Sequence, residues 1–393
     1  MEKLIWIYFL FEFNIEIFKI RALANYSNDK IAQLVQNFSI TGKFLSQKRK
    51  GNGNVNDTIV VEIENKEGVK KFTLQRINHN VFNDPRGLMD NYSRVTTHLQ
   101  AKRKSTSLSL ISSLSGDTFF EDENGDFWRM MPFIEGVHCY EVAQKPLHAY
   151  EAAKAFGDFQ VCLSDLPGKP LNLTIPDFHN TAKCFLEYEK AKHVNFDNRF
   201  EGVGDLDNFI LERKSLCNAI QTNKLPVRIV HNDTKLNNVL LDEKTSKGVS
   251  VIDLDTVMPG CVLHDFGDLV RTTCNSSDEN EKDLSKVTFL PEFFESITSG
   301  YLDATQDMLR QDEIDGLAIS PLVITYELGI RFLSDFLNGD QYFKIKHPSQ
   351  NLERARVQLK LLEAMEKSRM LMEKVVAKEW AKRKQKIAKA FSA

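Results

Sequence analysis

Little in this chain sorts it at first sight, and the missing features are informative. Its six cysteines, Cys139, Cys162, Cys184, Cys217, Cys261 and Cys274, stand singly. With no Cys-x-x-Cys pair, neither a zinc site nor a disulfide framework is indicated, and a reducing cytoplasm fits best. A formal net charge of −3 over 393 residues leaves no global basic excess to attract nucleic acid, and only the extreme C-terminus is rich in Lys and Arg. There is no internal repeat and no low-complexity segment. Leu4 to Phe11 is an apolar run of signal-peptide length. Only Lys3 precedes it, no small-residue cleavage site follows closely, and Glu12 and Glu16 interrupt it before it could span a bilayer. Three readings stand for it: a terminal helix docked on the protein, an upstream start-site artefact, or a weak membrane contact. No stable membrane association is expected.

What is present suffices for a large core. Hydrophobic residues make up 42% of the chain, and the length suggests two or three domains. Residues 1–37 read as an N-terminal extension of uncertain role. From Phe38 the pattern is β-rich. Ile59–Ile63 and Lys71–Ile77 alternate as strands around a polar turn, Asp84–Lys102 reads as a helix, and Thr118–Phe120 and Phe127–Met131 flank the turn Glu123–Asp126. Pro132–Gly136 breaks the regularity as a hinge, so 38–135 is predicted to be a small β-rich lobe. Beyond it the chain turns helical, at His148–Leu163, Phe178–Lys192, Leu206–Thr222 and again from Glu292. Short strands are expected at Val227–His231, Val239–Asp242 and Val249–Asp253. A large lobe over 136–362 and a charged helix over 363–393 complete an α+β, bilobal plan.

The sharpest local signal is Val230-His231-Asn232-Asp233-Thr234-Lys235-Leu236-Asn237-Asn238-Val239-Leu240-Leu241. It holds His-x-Asp with an Asn five residues after the Asp, between two apolar segments. Twenty residues after Asp233, the strand-like Gly248–Ile252 delivers Asp253. Phosphoryl transfer asks a protein for positioning and charge neutralisation, and these residue types supply both. One Asp takes the proton of the attacking hydroxyl. An Asn on the same loop and an Asp at a strand end hold Mg²⁺ against the phosphates. Asp233 is thus the expected base and Asn238 and Asp253 the metal ligands, with His231 bracing the loop. As isolated turn residues Asp233 and Asn238 would mean little; the ordered context carries the reading.

His264-Asp265-Phe266-Gly267-Asp268 contains a literal Asp-Phe-Gly. It lies thirty-two residues past Asp233, behind Met258-Pro259-Gly260, which reads as a turn and not a strand. Asp265 is therefore expected to tie the catalytic loop from behind, or to cap a helix beginning near Phe266. Asp255 is a weaker candidate for a second metal contact, or else a solvated turn acid.

At this point the chain resembles the aminoglycoside phosphotransferase and choline kinase superfamily, and within it most nearly the N-acetylhexosamine 1-kinases. The residues that carry the likeness are Leu74–Phe82, His231–Asn238, Val251–Pro259, Asp265–Asp268 and Gly329–Leu333. The resemblance covers roughly Phe38 to Leu362. It implies a protein-kinase-like fold, ATP and Mg²⁺ as cofactors, Asp233 as base, Asn238 and Asp253 on the metal, and a sugar pocket in the large lobe. Asn54 and Asn232 depart from the Gly-His-Ile-Asn and His-Gly-Asp forms of that family, and Asn232 adds bulk beside the base.

Gly51-Asn52-Gly53-Asn54, ahead of a strand, reads as the loop over the nucleotide, with Gly51, Gly53, Asn54 and Thr58 as its expected contacts. No Val-Ala-Ile-Lys occurs, so Arg76 is expected to supply the phosphate cation. Gln75 lies on the opposite face unless a bulge exchanges the two. No Ala-Pro-Glu segment follows Asp253, so the acceptor is expected to be small. Glu327 and Arg331 sit in the apolar helix Leu322–Leu337, either as an i,i+4 pair or facing a cavity. The resemblance implies that Arg331 and Tyr342 bind the sugar. Two rivals remain: a kinase of another sugar, an amino alcohol or an aminoglycoside, and a non-catalytic nucleotide-binding protein. Intact Asp233, Asn238 and Asp253 speak against the second.

Overall fold

The computed structural model describes residues 26–49, 55–103 and 109–391. The expected nucleotide contacts Gly51, Gly53 and Asn54, and the apolar run Leu4–Phe11, lie outside the described residues. The chain is α+β and divides into a sheet unit, 1–96 with 106–133, and a mainly helical unit, 97–105 with 134–393.

In the first unit, helix α1 (Asn28–Val35) precedes strands β1 (Lys43–Arg49), β2 (Asp57–Asn65) and β3 (Gly68–Ile77), helix α2 (Pro85–Arg103), and strands β4 (Phe120–Glu121) and β5 (Phe127–Pro132). The order is β1-β2-β3-β5-β4, antiparallel throughout. Because side chains alternate along a strand, Ile59, Val61 and Ile63 share a face with Leu74, Trp128 and Met130. Ile31, Leu34 and Val35 of α1 and Phe38 close over that face, and each such side chain contributes about 1.5–3 kcal/mol on burial. Helix α1 thus belongs to the sheet's core, although it lies inside the stretch that the sequence leaves as an extension. Ser27 caps it by accepting the N–H of Lys30.

The second unit opens with β6 (Val137–His138), which pairs with β8 (Val239–Asp242), itself paired with β9 (Gly248–Val251). Strand β7 (Arg228–Val230) pairs with β10 (Met258–Gly260). Helices α3 (Pro146–Leu163), α4 (Thr181–Val194), α5 (Gly204–Glu212), α6 (Val262–Thr273), α7 (Pro291–Thr305), α8 (Gln311–Gly316), α9 (Ser320–Leu337) and α10 (Gln350–Phe391) make up the rest.

Three expectations change here. Met258–Gly260 is a short strand and not a turn, since its backbone groups find β7 opposite them. Helix α6 begins at Val262, four residues before the expected start. The single helix predicted over Leu206–Thr222 ends at Glu212, and the chain continues in short 3₁₀ turns over Lys214–Asn218 and Thr222–Lys224.

Helix α9 is buried on nearly every side, while Arg331 is only half-buried. Gly267 lets α6 approach it: a Cβ there would sit 2.7 Å from the Ser320 carbonyl oxygen. The glycine of the literal Asp-Phe-Gly therefore serves helix packing. The long helix α10 buries Leu359, Leu362, Met365, Val375 and Val376, while Leu371 stays exposed. Among the described residues, no helix is long and apolar enough to cross a membrane.

Candidate active site

The loop between β7 and β8 is held through both its main-chain and its side-chain groups. Asp265 of α6, buried at 1% exposure, accepts the N–H of His231 on one carboxylate oxygen at 2.8 Å and that of Asn232 on the other at 2.7 Å. The Thr234 hydroxyl donates to the Asp265 carbonyl at 2.5 Å, and Gln160 Nε2 donates to the Asp265 carboxylate at 2.7 Å. Asp265 therefore ties the loop from behind, the first of the two roles read from its position.

His231 Nε2 donates to the Ile252 carbonyl at 2.9 Å, and its Nδ1 accepts the Asp233 N–H at 3.3 Å. This makes it the brace expected. The Ile252 N–H in turn donates to the Asn238 carbonyl at 2.9 Å. Both ends of the Ile252 residue are thus tied to the β7–β8 loop, which fixes Asp253 beside it. Asp253 has φ +61, a left-handed conformation that costs energy outside glycine.

Asn238 Nδ2 donates to the Asp233 carbonyl at 2.8 Å and to Asp233 Oδ2 at 3.2 Å. Its oxygen is therefore the end available to a hard cation. Lys235, which the sequence reading leaves out, places Nζ 3.0 Å from Asp233 Oδ2. Burial pushes the Asp233 carboxyl up, but the Lys235 ammonium, helped by the hydrogen bond from Asn238, outweighs it and holds the group below the usual carboxylate range. Asp253 goes the other way: burial first, then Asp255 and Asp233, push it up to about 6. Asp255 is itself buried at 2% exposure, so the solvated-turn reading of it does not hold.

In the sheet unit, β3 runs against β2 without a bulge. Arg76 therefore lies on the α1 face, where Nε and Nη2 donate to Asp57 Oδ2 at 3.0 and 2.7 Å and Nη1 donates to Asp126 at 3.0 Å. Two buried carboxylates pair with this guanidinium, the group expected to supply the phosphate cation. Gln75 on the other face donates to Thr58 Oγ1 at 3.0 Å and accepts from Arg129 Nε at 2.9 Å. Arg129, on that face, stands 4.4 Å over the Tyr92 ring.

Glu327, Arg331 and Asp335 recur every four residues along α9, which places them on one stripe. Glu327 Oε1 contacts His179 Nδ1 at 2.9 Å, and its Oε2 accepts the Thr181 hydroxyl at 2.7 Å. Asp335 accepts the N–H groups of Gln341, Tyr342 and Phe343 at 2.8, 2.7 and 2.8 Å. This folds the 341–343 segment back along the helix. The Arg331 guanidinium then stands 5.5–5.7 Å from the ring centres of Phe178, Tyr342 and Phe343. The structure thus brings Arg331 and Tyr342 together, and adds Phe178 and Phe343, which the sequence reading missed. The signal for Phe343 was its place next to Tyr342, whereas Phe178 is remote from both in the sequence.

Residues 51–304, more than half of the chain, match the model of the family described as the phosphotransferase enzyme family. The chain belongs to that family. Its fold is shared by an aminoglycoside phosphotransferase from Alicyclobacillus acidocaldarius subsp. acidocaldarius DSM 446 (TM-score 0.58, 11% identity, 92% of this chain and 99% of that one). It is likewise shared by spectinomycin phosphotransferase APH(9)-Ia in complex with ADP and spectinomycin (0.57, 12%, 87% and 99%). A choline kinase from Cryptosporidium parvum Iowa II matches at 0.52 and 16% identity, over 89% and 98% of the two chains. The expected protein-kinase-like α+β fold is the one found, and the family match makes the protein a member of the phosphotransferase enzyme family.

Proposed function

We propose that this phosphotransferase is an ATP- and Mg²⁺-dependent kinase of N-acetylhexosamines, N-acetylglucosamine or N-acetylgalactosamine, that phosphorylates the anomeric hydroxyl to give the sugar 1-phosphate. One observation carries the choice of acceptor. Arg331 stands among three aromatic rings, while the acids beside it on α9, Glu327 and Asp335, are each saturated by donors of the protein itself. A cationic amino alcohol or aminoglycoside would meet a like charge there. A neutral, hydroxyl-rich ring would find flat apolar faces and charge-assisted donors.

In this reading Asp233, kept ionised by Lys235, accepts the proton of the attacking hydroxyl. The anomeric hydroxyl is more acidic than an ordinary alcohol and is better matched to a carboxylate base. Lys235 places a positive charge where the phosphoryl group would arrive. Asn238 and Asp253 would hold the metal. The fit is good, because Asp253 lies beside the negative charges of Asp255 and Asp233, which a hard divalent ion would relieve. Among the described residues no group of three or more His, Cys, Asp or Glu is disposed to hold a metal. A Mg²⁺ site of one or two protein ligands completed by phosphate oxygens is consistent with that. Bound there, Mg²⁺ would supply charge neutralisation on the phosphates. Gly51, Gly53, Asn54 and Thr58 are the proposed nucleotide contacts.

The test is ADP release measured against a panel of hexosamines, amino alcohols and aminoglycosides, followed by phosphorus NMR of the product. N-acetylglucosamine should give a phosphate coupled to the anomeric proton. Its methyl glycoside, blocked at that oxygen with the 6-hydroxyl free, should not react. Turnover of the methyl glycoside, or a preference for choline or an aminoglycoside, overturns the proposal.

A further inference from the structure

Asn232, the residue before Asp233, has φ +66. Asn tolerates this left-handed conformation better than most residues, but it still costs energy unless the surroundings hold it. Its N–H donates to Asp265 and its Nδ2 to the Thr256 carbonyl at 2.8 Å. Its carbonyl meets His179 Nε2 at 3.0 Å. That last contact holds the carbonyl side of the peptide plane joining Asn232 to Asp233, while His231 Nδ1 holds its N–H side at 3.3 Å.

His179 stands two residues before α4 and reaches both ways. Its Nδ1 faces Glu327 Oε1 at 2.9 Å, and the two side chains are 4% and 0% exposed. A backbone carbonyl can only accept, so Nε2 must carry a proton. A neutral ring would then aim the bare lone pair of Nδ1 at a buried carboxylate oxygen. The contact closes only with a second proton between His179 and Glu327. The groups facing the ring agree with this. Glu327 on α9 and Asp268 on α6 favour the added proton, against the cost of burial. His264 on α6 lies 5.1 Å away with its ring tilted by 54°, and stays neutral, pushed down to about 3 by burial and by His179. Arg331, one turn beyond Glu327, adds to the charges that keep the Glu327 carboxyl below its usual range despite burial.

We propose that His179 is a positioning residue: doubly protonated, it bridges Glu327 to the Asn232 carbonyl and thereby sets the direction of Asp233. The proposal rests on Asp233 being the base. It ties the helix that carries Arg331 to the loop that carries Asp233 through one buried ring.

The test has two readouts on the full chain. The first is the protonation of the ring, read by NMR of the ¹⁵N-histidine-labelled protein and assigned by the signal lost in His179→Gln, or in His179→Asn if the first variant does not fold. Both nitrogens should carry protons at pH 7, and a singly protonated ring there overturns the proposal. The second is kinetic, with whichever acceptor the wild type uses best. His179→Gln should lower kcat on the order of 10²-fold, the cost of about 1 Å of misplacement, with both KM values within about twofold. The wild type should also lose kcat as pH rises through the ionisation of His179, and the variant should lack that limb. Unchanged kcat, or a loss confined to KM, overturns the proposal. A wild type that uses no sugar would refute the acceptor assignment alone, since the ring's protonation is read without any acceptor.

Discussion

The Lys235 ammonium lies 3.0 Å from Oδ2 of Asp233. In the proposed reaction the pair would keep Asp233 ionised as the base and set a positive charge beside the place where a phosphoryl group would transfer. Lys235→Met should therefore lower kcat on the order of 10²-fold, comparable to removing one preorganised donor from a transition state. Steady-state kinetics would show it, and a change confined to KM would return Lys235 to a bystander.

Asp233→Asn keeps the shape of the base and its contact with Asn238 but removes the proton acceptor. Turnover should fall roughly 10²–10⁴-fold, the range for general-base catalysis. Nucleotide binding by calorimetry should be nearly unchanged.

Asp253→Ala and Asp265→Ala should fail differently. Without Asp253 the fold should persist, while Mg²⁺-dependent nucleotide binding and turnover are lost together. Without Asp265, the N–H groups of His231 and Asn232 lose their acceptor in a buried setting, at about 1–3 kcal/mol each. A lowered Tm should therefore dominate. The reverse pattern would make Asp265 the metal ligand.

Arg331→Ala should cost about 1.5–3 kcal/mol of acceptor interaction, hence roughly ten- to hundredfold in kcat/KM for the sugar. The KM for ATP should change little. Unaltered sugar kinetics would leave Arg331 a packing residue among its three rings.

The buried His179–Glu327 pair should give stability a window in pH. Glu327 is held below its usual range in the fold, so its contribution is present above its unfolded value and is lost as pH falls through the folded one. His179 is held above its usual range, so its contribution is present below the unfolded value and is lost as pH rises through the folded one. Glu327→Gln breaks the pair and should destabilise by about 3–5 kcal/mol between these limits, where both partners are charged. The difference in Tm between wild type and variant, measured across pH, should shrink at both ends.

Much of this was legible in one dimension. The strands Ile59–Ile63 and Lys71–Ile77 alternate visibly, and the hairpin turn Glu123–Asp126 announces itself by composition. The loop His231–Asn238 stands out because its residue types and spacing are dictated by the chemistry proposed for it. The partners of Arg76 were not legible, because a cation on a strand says nothing about which acids lie across the sheet. Asp57 is nineteen residues away and Asp126 fifty, and only the register brings them to it. Met258–Gly260 looked like a turn because a Pro-Gly pair hides a short strand whose partner is remote.

The sequence by itself determined the local elements, their order and the loop that carries Asp233. Helical and strand periods and the residue types around an acid are properties of neighbours along the chain. Only the tertiary structure decided which side chains meet. It set His179 between Glu327 and Asn232, separations of 148 and 53 residues, and folded Tyr342 and Phe343 against Arg331 through Asp335. Those contacts follow from where helices pack and from the need of every buried donor and acceptor for a partner. Chain closure and burial impose that need, and it leaves no period in the sequence.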